Sequence, residues 1–269
     1  MPDGGGMTTA ETAAPRFEIE RVVKRTFSVI KNNLVVFGLL SLITAIPSVA
    51  WSLVDPPPGA AFFSVNTIAL SAATWLVYVV SIFVLQAAVV HGTVADLNGR
   101  RASFADCLAT GLKHFFPLLL IALIYFLCVF IGLIFLVIPG IMIAVMMSVA
   151  VPARVVEQTG VIASFYRSQD LTDGHRWAIF GLFVAYYIVQ IIISMTVFSI
   201  MGLGFMTNSA LEAAVIAAAA VNTWPVILAS ALAQMINAIL SAAGTASIYY
   251  ELRQIKEGIG PETLASVFD

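Results

Sequence analysis

The stretch FFPLLLIALIYFLCVFIGLIFLVIPGIMIAVMMSVAVPA, residues 115–153, runs for 39 residues without one charged side chain. As a single helix rising about 1.5 Å per residue it would be nearly twice as long as the hydrocarbon core of a bilayer, which is roughly 30 Å thick. The stretch must therefore fold back on itself. Pro139 lacks an amide hydrogen and Gly140 tolerates turn geometry, so we predict a tight hairpin here between spans 116–138 and 141–157.

The composition of the whole chain agrees with a membrane location. Of 269 residues, 60% are hydrophobic and 10% are charged, whereas a soluble domain carries roughly 25% charged residues. Uncharged runs long enough to cross a bilayer predict an all-α polytopic membrane protein with six transmembrane helices. The six spans are expected near 34–54, 67–90, 116–138, 141–157, 177–201 and 224–250.

These spans form one domain, residues 16–258, between a disordered N-terminal tail at 1–15 and a short C-terminal tail at 259–269. Ser209 and Glu212 have capping-box spacing, which predicts a short helix at the outer face. The net charge of −2 excludes a generally basic surface, so no nucleic-acid partner is expected. Cys107 and Cys128 are interpreted as small apolar residues, so neither redox chemistry nor a cofactor is indicated.

Orientation follows from the basic residues, all of which fall at one end of the predicted spans. The opposite loops hold only the acids Asp55 and Glu212. Under the positive-inside rule, this asymmetry predicts cytoplasmic N- and C-termini. The basic residues are Arg16, Arg21, Lys24, Arg25, Lys31, Arg100, Arg101, Lys113, Arg154, Arg167, Arg176, Arg253 and Lys256.

A possible three-fold repeat is suggested by GRRASF at 99–104 and GVIASF at 160–165, with RVVKRTFSVIKNNLVVF at 21–37 as an earlier version. Each copy would consist of an amphipathic helix followed by a transmembrane hairpin. In the copies at 17–31 and 104–115, apolar and charged side chains separate onto opposite helix faces, so we expect interfacial helices there on the cytoplasmic face. These helices either cover the ends of the bundle or bind membrane lipids.

The segment YRSQDLTDGHRW, residues 166–177, has the side chains for two different roles. A hydrolytic site could be composed of Ser168, Asp170, Asp173 and His175. The sequence around them, however, has no nucleophile-elbow motif. Arg176 and Trp177 are what a helix entering the membrane needs at its interface. We therefore predict a membrane junction and no catalytic site.

Metal binding is also not indicated. His91, Asp96, His114 and His175 lack the spacing of metal ligands, and we expect solvated interfacial histidines.

Polar side chains are rare inside the spans, and no Asp, Glu, Lys, Arg or His lies in their membrane core. This absence weakens a proton- or ion-coupled transport mechanism. Gln234 and Asn237 share one helix face. They are expected either to make interhelical hydrogen bonds or to mark an intramembrane polar groove.

Three motifs carry a resemblance to a known family: IPG at 138–140, EQTGVIASFYRSQDLTDGHRW at 157–177 and YYELRQIKEG at 249–258. With these motifs the chain resembles the bacterial glycerophosphoryl diester phosphodiesterase membrane-domain family and the related YciC-like inner-membrane proteins. The resemblance implies a six-span helical fold in the bacterial inner membrane. Catalysis in fused members belongs to a separate soluble barrel, so that activity is not expected of the membrane domain itself.

Within those motifs we expect Thr172 to Gly174 to form a turn and Ser168 to satisfy backbone groups near it. We also expect Glu157 to pair with a basic residue of a neighbouring helix, most simply Arg253. The leading functional hypothesis is a non-enzymatic accessory or organising protein of the bacterial envelope that engages membrane lipids or another membrane protein. The alternative is a permease or lipid translocator with a groove between helices.

Overall fold

The computed structural model describes residues 17–53, 65–200 and 224–258. Throughout these ranges the regular structure is helical, which confirms the all-α fold class. The helices are α1 (Ile19–Asn32), α2 (Leu34–Leu53), α3 (Val65–Leu97), α4 (Phe104–Phe135), α5 (Val137–Met146), α6 (Ala150–Glu157), α7 (Val161–Thr172), α8 (Arg176–Ile200) and α9 (Trp224–Glu257).

The protein is a multi-pass membrane protein. Five stretches are long and apolar enough to cross a bilayer: Ile68–Leu97, Phe104–Phe135, Val137–Glu157, Arg176–Thr196 and Ile227–Glu257. The pair α1 and α2, bent by 87°, supplies a sixth. Because α1 is amphipathic and α2 is apolar, α2 is the part of this pair that has the composition of a span. Each of the six predicted spans thus corresponds to a helix or a helix pair.

Three of the spans are longer than the sequence predicts. The helices α3, α4 and α9 have 33, 32 and 34 residues, which is about 50 Å each at 1.5 Å per residue. A bilayer core covers only about 30 Å of that length. The residues beyond the predicted spans lie at one end of the bundle: they are 91–97 of α3, 104–115 of α4 and 251–257 of α9.

That end, which we call the basic end, carries the twelve basic residues that the structure describes. Side-chain contacts join the helices there. Arg21 of α1 pairs with Glu251 of α9, and Arg167 of α7 pairs with Glu157 of α6. The rings of Phe17 and His175 lie 6.0 Å apart. Much of the fully buried core also lies there, including Val22, Leu171, Ile179, Tyr249 and Leu252.

The interfacial helix predicted for residues 104–115 is not a separate element. These residues form the first three turns of α4, which continues through Pro117 into the membrane. Ser103 starts the helix with a capping box, since its hydroxyl accepts from the Asp106 amide at 3.1 Å and its own amide donates to the Asp106 carboxylate. The stretch stays helical because its buried stripe, which includes Cys107 and Gly111, packs against α3.

The hairpin between the third and fourth spans is present, but its turn is not at Pro139 and Gly140. The chain breaks at Leu136, whose φ of −165° and ψ of 144° are extended. Pro139 is the third residue of α5, where its missing amide hydrogen costs little because first-turn amides have no partner inside a helix. Gly140 is buried, and a Cβ atom on it would lie 2.6 Å from the Leu133 side chain. The pair therefore shapes the contact between α4 and α5 rather than the turn.

The fourth span, predicted as continuous over 141–157, is broken into α5 and α6 at residues 147–149. A broken helix inside a membrane leaves backbone groups without helical partners, and such groups need other hydrogen bonds. The short helix α7 supplies them, as described below.

The motif GxxASF does not mark equivalent positions in two repeats. Ser103 is the residue that caps α4, whereas Ser164 lies inside α7 and donates to the Gly160 carbonyl at 2.8 Å. Gly99 follows the end of α3 with a φ of +71°, while Gly160 is the residue before α7 with a φ of −62°. The two matches therefore give no structural support to a repeat.

Several predictions fall outside the described residues. They are the N-terminal tail at 1–15, the short helix beginning near Ser209 and Glu212, and the C-terminal tail at 259–269.

We predict that Gly140→Ala lowers the thermal unfolding temperature of the protein in detergent by several degrees. The added methyl group must displace Leu133 or separate α4 from α5. The matched control is Gly181→Ala, since a Cβ at Gly181 of α8 meets no described atom within 4 Å. A Gly140→Ala protein as stable as the control would contradict this close approach.

Candidate functional site: a charged junction and an apolar groove at the basic end

The last turns of α9 hold a carboxylate that is fully buried, that of Glu251. Its Oε1 accepts from Nη1 of Arg21 at 2.8 Å, and its Oε2 accepts from Nη1 of Arg25. Arg21 and Arg25 lie one turn apart on α1, and the guanidinium of Arg25 also lies 5.3 Å from the centre of the Tyr250 ring. This junction fixes α1 across the end of α9.

The energetics of burial explain why both arginines are needed. A carboxylate removed from water is strongly destabilised unless it is paired and hydrogen-bonded. Two guanidinium groups, one of them over an aromatic face, satisfy both of its oxygens. Glu251 lies in the quoted motif YYELRQIKEG but was not predicted as a site residue. The available signal was an acid directly after an apolar span, with two basic residues spaced i, i+4 on an amphipathic helix.

A second network joins α6, α7 and α9. Nε of Arg167 donates to both oxygens of Glu157 at 2.9 and 3.0 Å, and the hydroxyl of Tyr249 donates to Glu157 at 2.7 Å. Arg167 also pairs with Glu257, and Nε of Arg253 donates to Glu257 at 2.7 Å.

Glu157 does pair with a basic residue of a neighbouring helix, as predicted, but the expected partner, Arg253, is wrong. Arg253 lies one turn before Glu257 on α9 and pairs with it within the same helix. The partner of Glu157 is Arg167, which lies ten residues further along the chain on the adjacent α7. The two predicted partners belong to one network, linked through Arg167 and Glu257.

Ser168 and Thr172 hold the break between α5 and α6. The Ser168 hydroxyl donates to the Met146 carbonyl at 2.7 Å and accepts from the Val149 amide at 3.2 Å. The Thr172 hydroxyl lies 2.9 Å from the Ser168 carbonyl and 3.4 Å from that of Met146. Both side chains are fully buried. The Ser168 hydroxyl, a candidate nucleophile by composition, is thus engaged with backbone groups.

The segment after α7 forms the predicted turn. Gly174 has a φ of +81°, and the amide of His175 donates to the Thr172 carbonyl at 3.1 Å. Arg176 begins α8 and pairs with Asp173 at 3.3 Å, while Trp177 is 74% exposed on the bundle surface. An exposed indole beside a basic residue at a helix start is the pattern of a membrane interface.

The histidines differ in environment. His175 packs against Phe17, as noted above, but His114 is buried, which corrects the expectation of solvated histidines. Its Nδ1 lies 2.9 Å from the Thr110 carbonyl. In the described ranges, no three His, Cys, Asp or Glu side chains are grouped as metal ligands.

Gln234 and Asn237 point to different helices. Nε2 of Gln234 donates to the Tyr78 hydroxyl of α3 at 3.0 Å. Oδ1 of Asn237 accepts from Nε2 of Gln190 at 2.9 Å and from the hydroxyl of Tyr186, both on α8. The two side chains therefore make interhelical hydrogen bonds to either side of α9 instead of lining one polar groove together.

An apolar groove does lie beside this polar cluster. A cavity of about 190 Å³ runs between α1, α8 and α9. Its walls include Val23 and Phe27 of α1, Phe183 and Tyr186 of α8, and Leu240 and Gly244 of α9. Tyr186, which lines the groove, is also the residue that bonds to Asn237. The groove thus extends from the interfacial helix towards the polar contact of α8 with α9.

Comparison with known proteins gives no match: no family model, no curated protein and no solved structure is similar to this chain.

We predict that Glu251→Gln destabilises the protein by about 3 kcal/mol, because an amide leaves two guanidinium groups without their carboxylate. The change is measured as the unfolding free energy in detergent. Glu20→Gln is the matched control, since Glu20 and Lys24 form an exposed i, i+4 pair whose loss should cost under about 0.5 kcal/mol. Equal effects of the two variants would show that the buried junction does not hold α1.

Proposed function

We propose that this protein is a non-enzymatic accessory or organising protein of the bacterial inner membrane that binds anionic lipids at its basic end. The single observation that carries the proposal is the apolar groove between α1, α8 and α9, which lies at the end of the bundle where the basic residues gather. An apolar groove beside cationic side chains is complementary to the chain and headgroup of an anionic lipid.

The surface of α8 supports a lipid-facing groove. Only 6% of the residues in its most apolar stretch are buried, and Tyr187, Ile188 and Val189 are exposed. In a membrane such surface contacts acyl chains. The amphipathic α1 lies across the same region, with Phe27 60% exposed, as expected of a helix whose apolar side enters the headgroup boundary.

The non-enzymatic part of the proposal is supported by the structural contacts that the polar side chains make. Glu157, Arg253 and Glu251 belong to ion-pair networks that join helices, and Ser168 and Thr172 satisfy the backbone of a broken span. Each of these groups has a structural partner that explains its burial. A lipid-binding role requires none of them to react.

The alternative function, a lipid translocator, is favoured by one observation. Asn237, Gln190 and Tyr186 form a polar cluster where the groove meets the contact of α8 with α9. Polar side chains at that depth are unusual and accompany transport pathways in many membrane proteins. In an accessory protein, the same side chains serve only to hydrogen-bond α8 to α9.

One experiment tests the proposal and separates these functions. The wild-type protein in mild detergent is mixed with equal amounts of phosphatidylglycerol and phosphatidylethanolamine, and bound lipid is measured by native mass spectrometry. We expect a preference of about five-fold for phosphatidylglycerol, since a basic residue near an anionic lipid contributes roughly 1 kcal/mol. Binding of both lipids in equal amounts would contradict anionic-lipid recognition. In liposomes, scrambling of labelled lipid at a rate above protein-free liposomes would favour the translocator.

Orientation provides a second prediction. The positive-inside rule places the basic end in the cytoplasm. In a background without the two native cysteines, Arg100→Cys should react with a membrane-impermeant maleimide only after the inner membrane is opened. Val65→Cys, at the opposite end of α3 and exposed, should react in intact spheroplasts. The reverse labelling pattern would overturn the orientation.

A further inference from the structure

We propose that the groove between α1, α8 and α9 takes one acyl chain of an anionic phospholipid from the leaflet at the basic end, and that Arg176 binds the phosphate of its headgroup. This inference rests on the proposed function and names the lipid class, the chain site and the headgroup ligand.

The groove offers about 190 Å³ between walls that are almost wholly apolar. Such a space suits a segment of a hydrocarbon chain. Val23 and Phe27 form the wall from α1, and Leu240 belongs to the wall from α9. At Gly244 the α9 wall has no side chain. The space in front of it is open, because a Cβ there would meet no described atom within 4 Å.

The polar atoms along the groove are occupied within the protein. The Thr245 hydroxyl donates to carbonyls of its own helix, those of Ser241 and Ala242, at 3.0 and 3.1 Å. Tyr186 directs its hydroxyl to Asn237. The remaining surface is apolar, which suits a hydrocarbon chain better than a polar solute.

Arg176 is the basic residue placed for the headgroup. It lies two helical turns before Phe183 on α8, so both project along the same side of that helix. The neighbouring ring of His175 contacts Phe17, the residue just before α1. Arg176 therefore lies at the basic end of α8, near the start of α1.

The Arg176 side chain is 29% exposed, and its ion pair among the described residues is a long one. Its ion pair with the exposed Asp173 is 3.3 Å long, whereas charge-assisted pairs are commonly 2.7–2.9 Å. Its Nε is buried and has no acceptor among the described residues. By contrast, Arg21 and Arg25 are engaged with Glu251, and Lys24 pairs with Glu20 at 2.6 Å.

The test fills the groove and neutralises the headgroup ligand in the full chain. Binding of dioleoyl-phosphatidylglycerol to protein in mild detergent is titrated by native mass spectrometry. We expect Gly244→Leu to weaken binding at least ten-fold and Arg176→Gln about five-fold. One matched control is Gly181→Leu, a glycine of α8 outside the groove that also has open space. The other is Lys113→Gln on α4, a helix that contributes no residue to the groove. Both controls should bind within two-fold of wild type.

A second measurement needs no variant. Phosphatidylglycerol carrying a diazirine in its chain is photolysed with the wild-type protein, and the adducts are mapped by peptide mass spectrometry. Adducts on Phe183, Tyr186 or Leu240 are expected. Adducts confined to other surfaces, or a folded Gly244→Leu protein that binds like wild type, would overturn the inference. If the wild type shows no preference for phosphatidylglycerol, the proposed function fails as well; if that preference holds and only these results differ, this inference alone fails.

Discussion

The carboxylate of Glu251 has no access to water, and two guanidinium groups from α1 are what make its burial tolerable. The amphipathic helix is thereby fixed across the end of the last span, at 87° to the span that follows it. One wall of the apolar groove consists of residues of that same helix, including Val23 and Phe27. The ion pairs of Glu251 therefore determine whether the groove has a third wall.

The basic end has a buried core of its own, like that of a small helical domain joined to the membrane bundle. The outer turns of α3, α4 and α9 pack there with α1, α6 and α7. Within the membrane the spans bury little of their surface in each other, and α8 buries least among the five spans whose burial is described. The groove lies between these two regions, lined by α1 of the basic end and by α8 and α9 of the bundle. This placement connects the fold with the proposed binding of an anionic lipid.

Hydropathy and charge in the sequence were sufficient to predict the helical class, the number of spans and the gathering of basic residues at one end, because each depends on summed transfer energies over many residues. Local geometry was harder to predict. Pro139 and Gly140 are common turn residues, yet the chain breaks at Leu136, since proline is tolerated in a first turn and the glycine is needed where α4 and α5 touch. The partner of Glu157 depends on which arginine the packing of α7 brings close. Glu251 was missed because an acid next to a span resembles an ordinary interfacial charge until its burial is known.

The most direct test is an experimental structure of the full chain in nanodiscs containing phosphatidylglycerol, at a resolution that shows side chains and lipids. We expect Glu251 to contact both Arg21 and Arg25, and rod-shaped lipid density to enter the groove between α1, α8 and α9 with its headgroup at Arg176. A map in which α1 lies away from α9, or in which α8 closes onto α9 and leaves no space for a chain, would contradict this expectation.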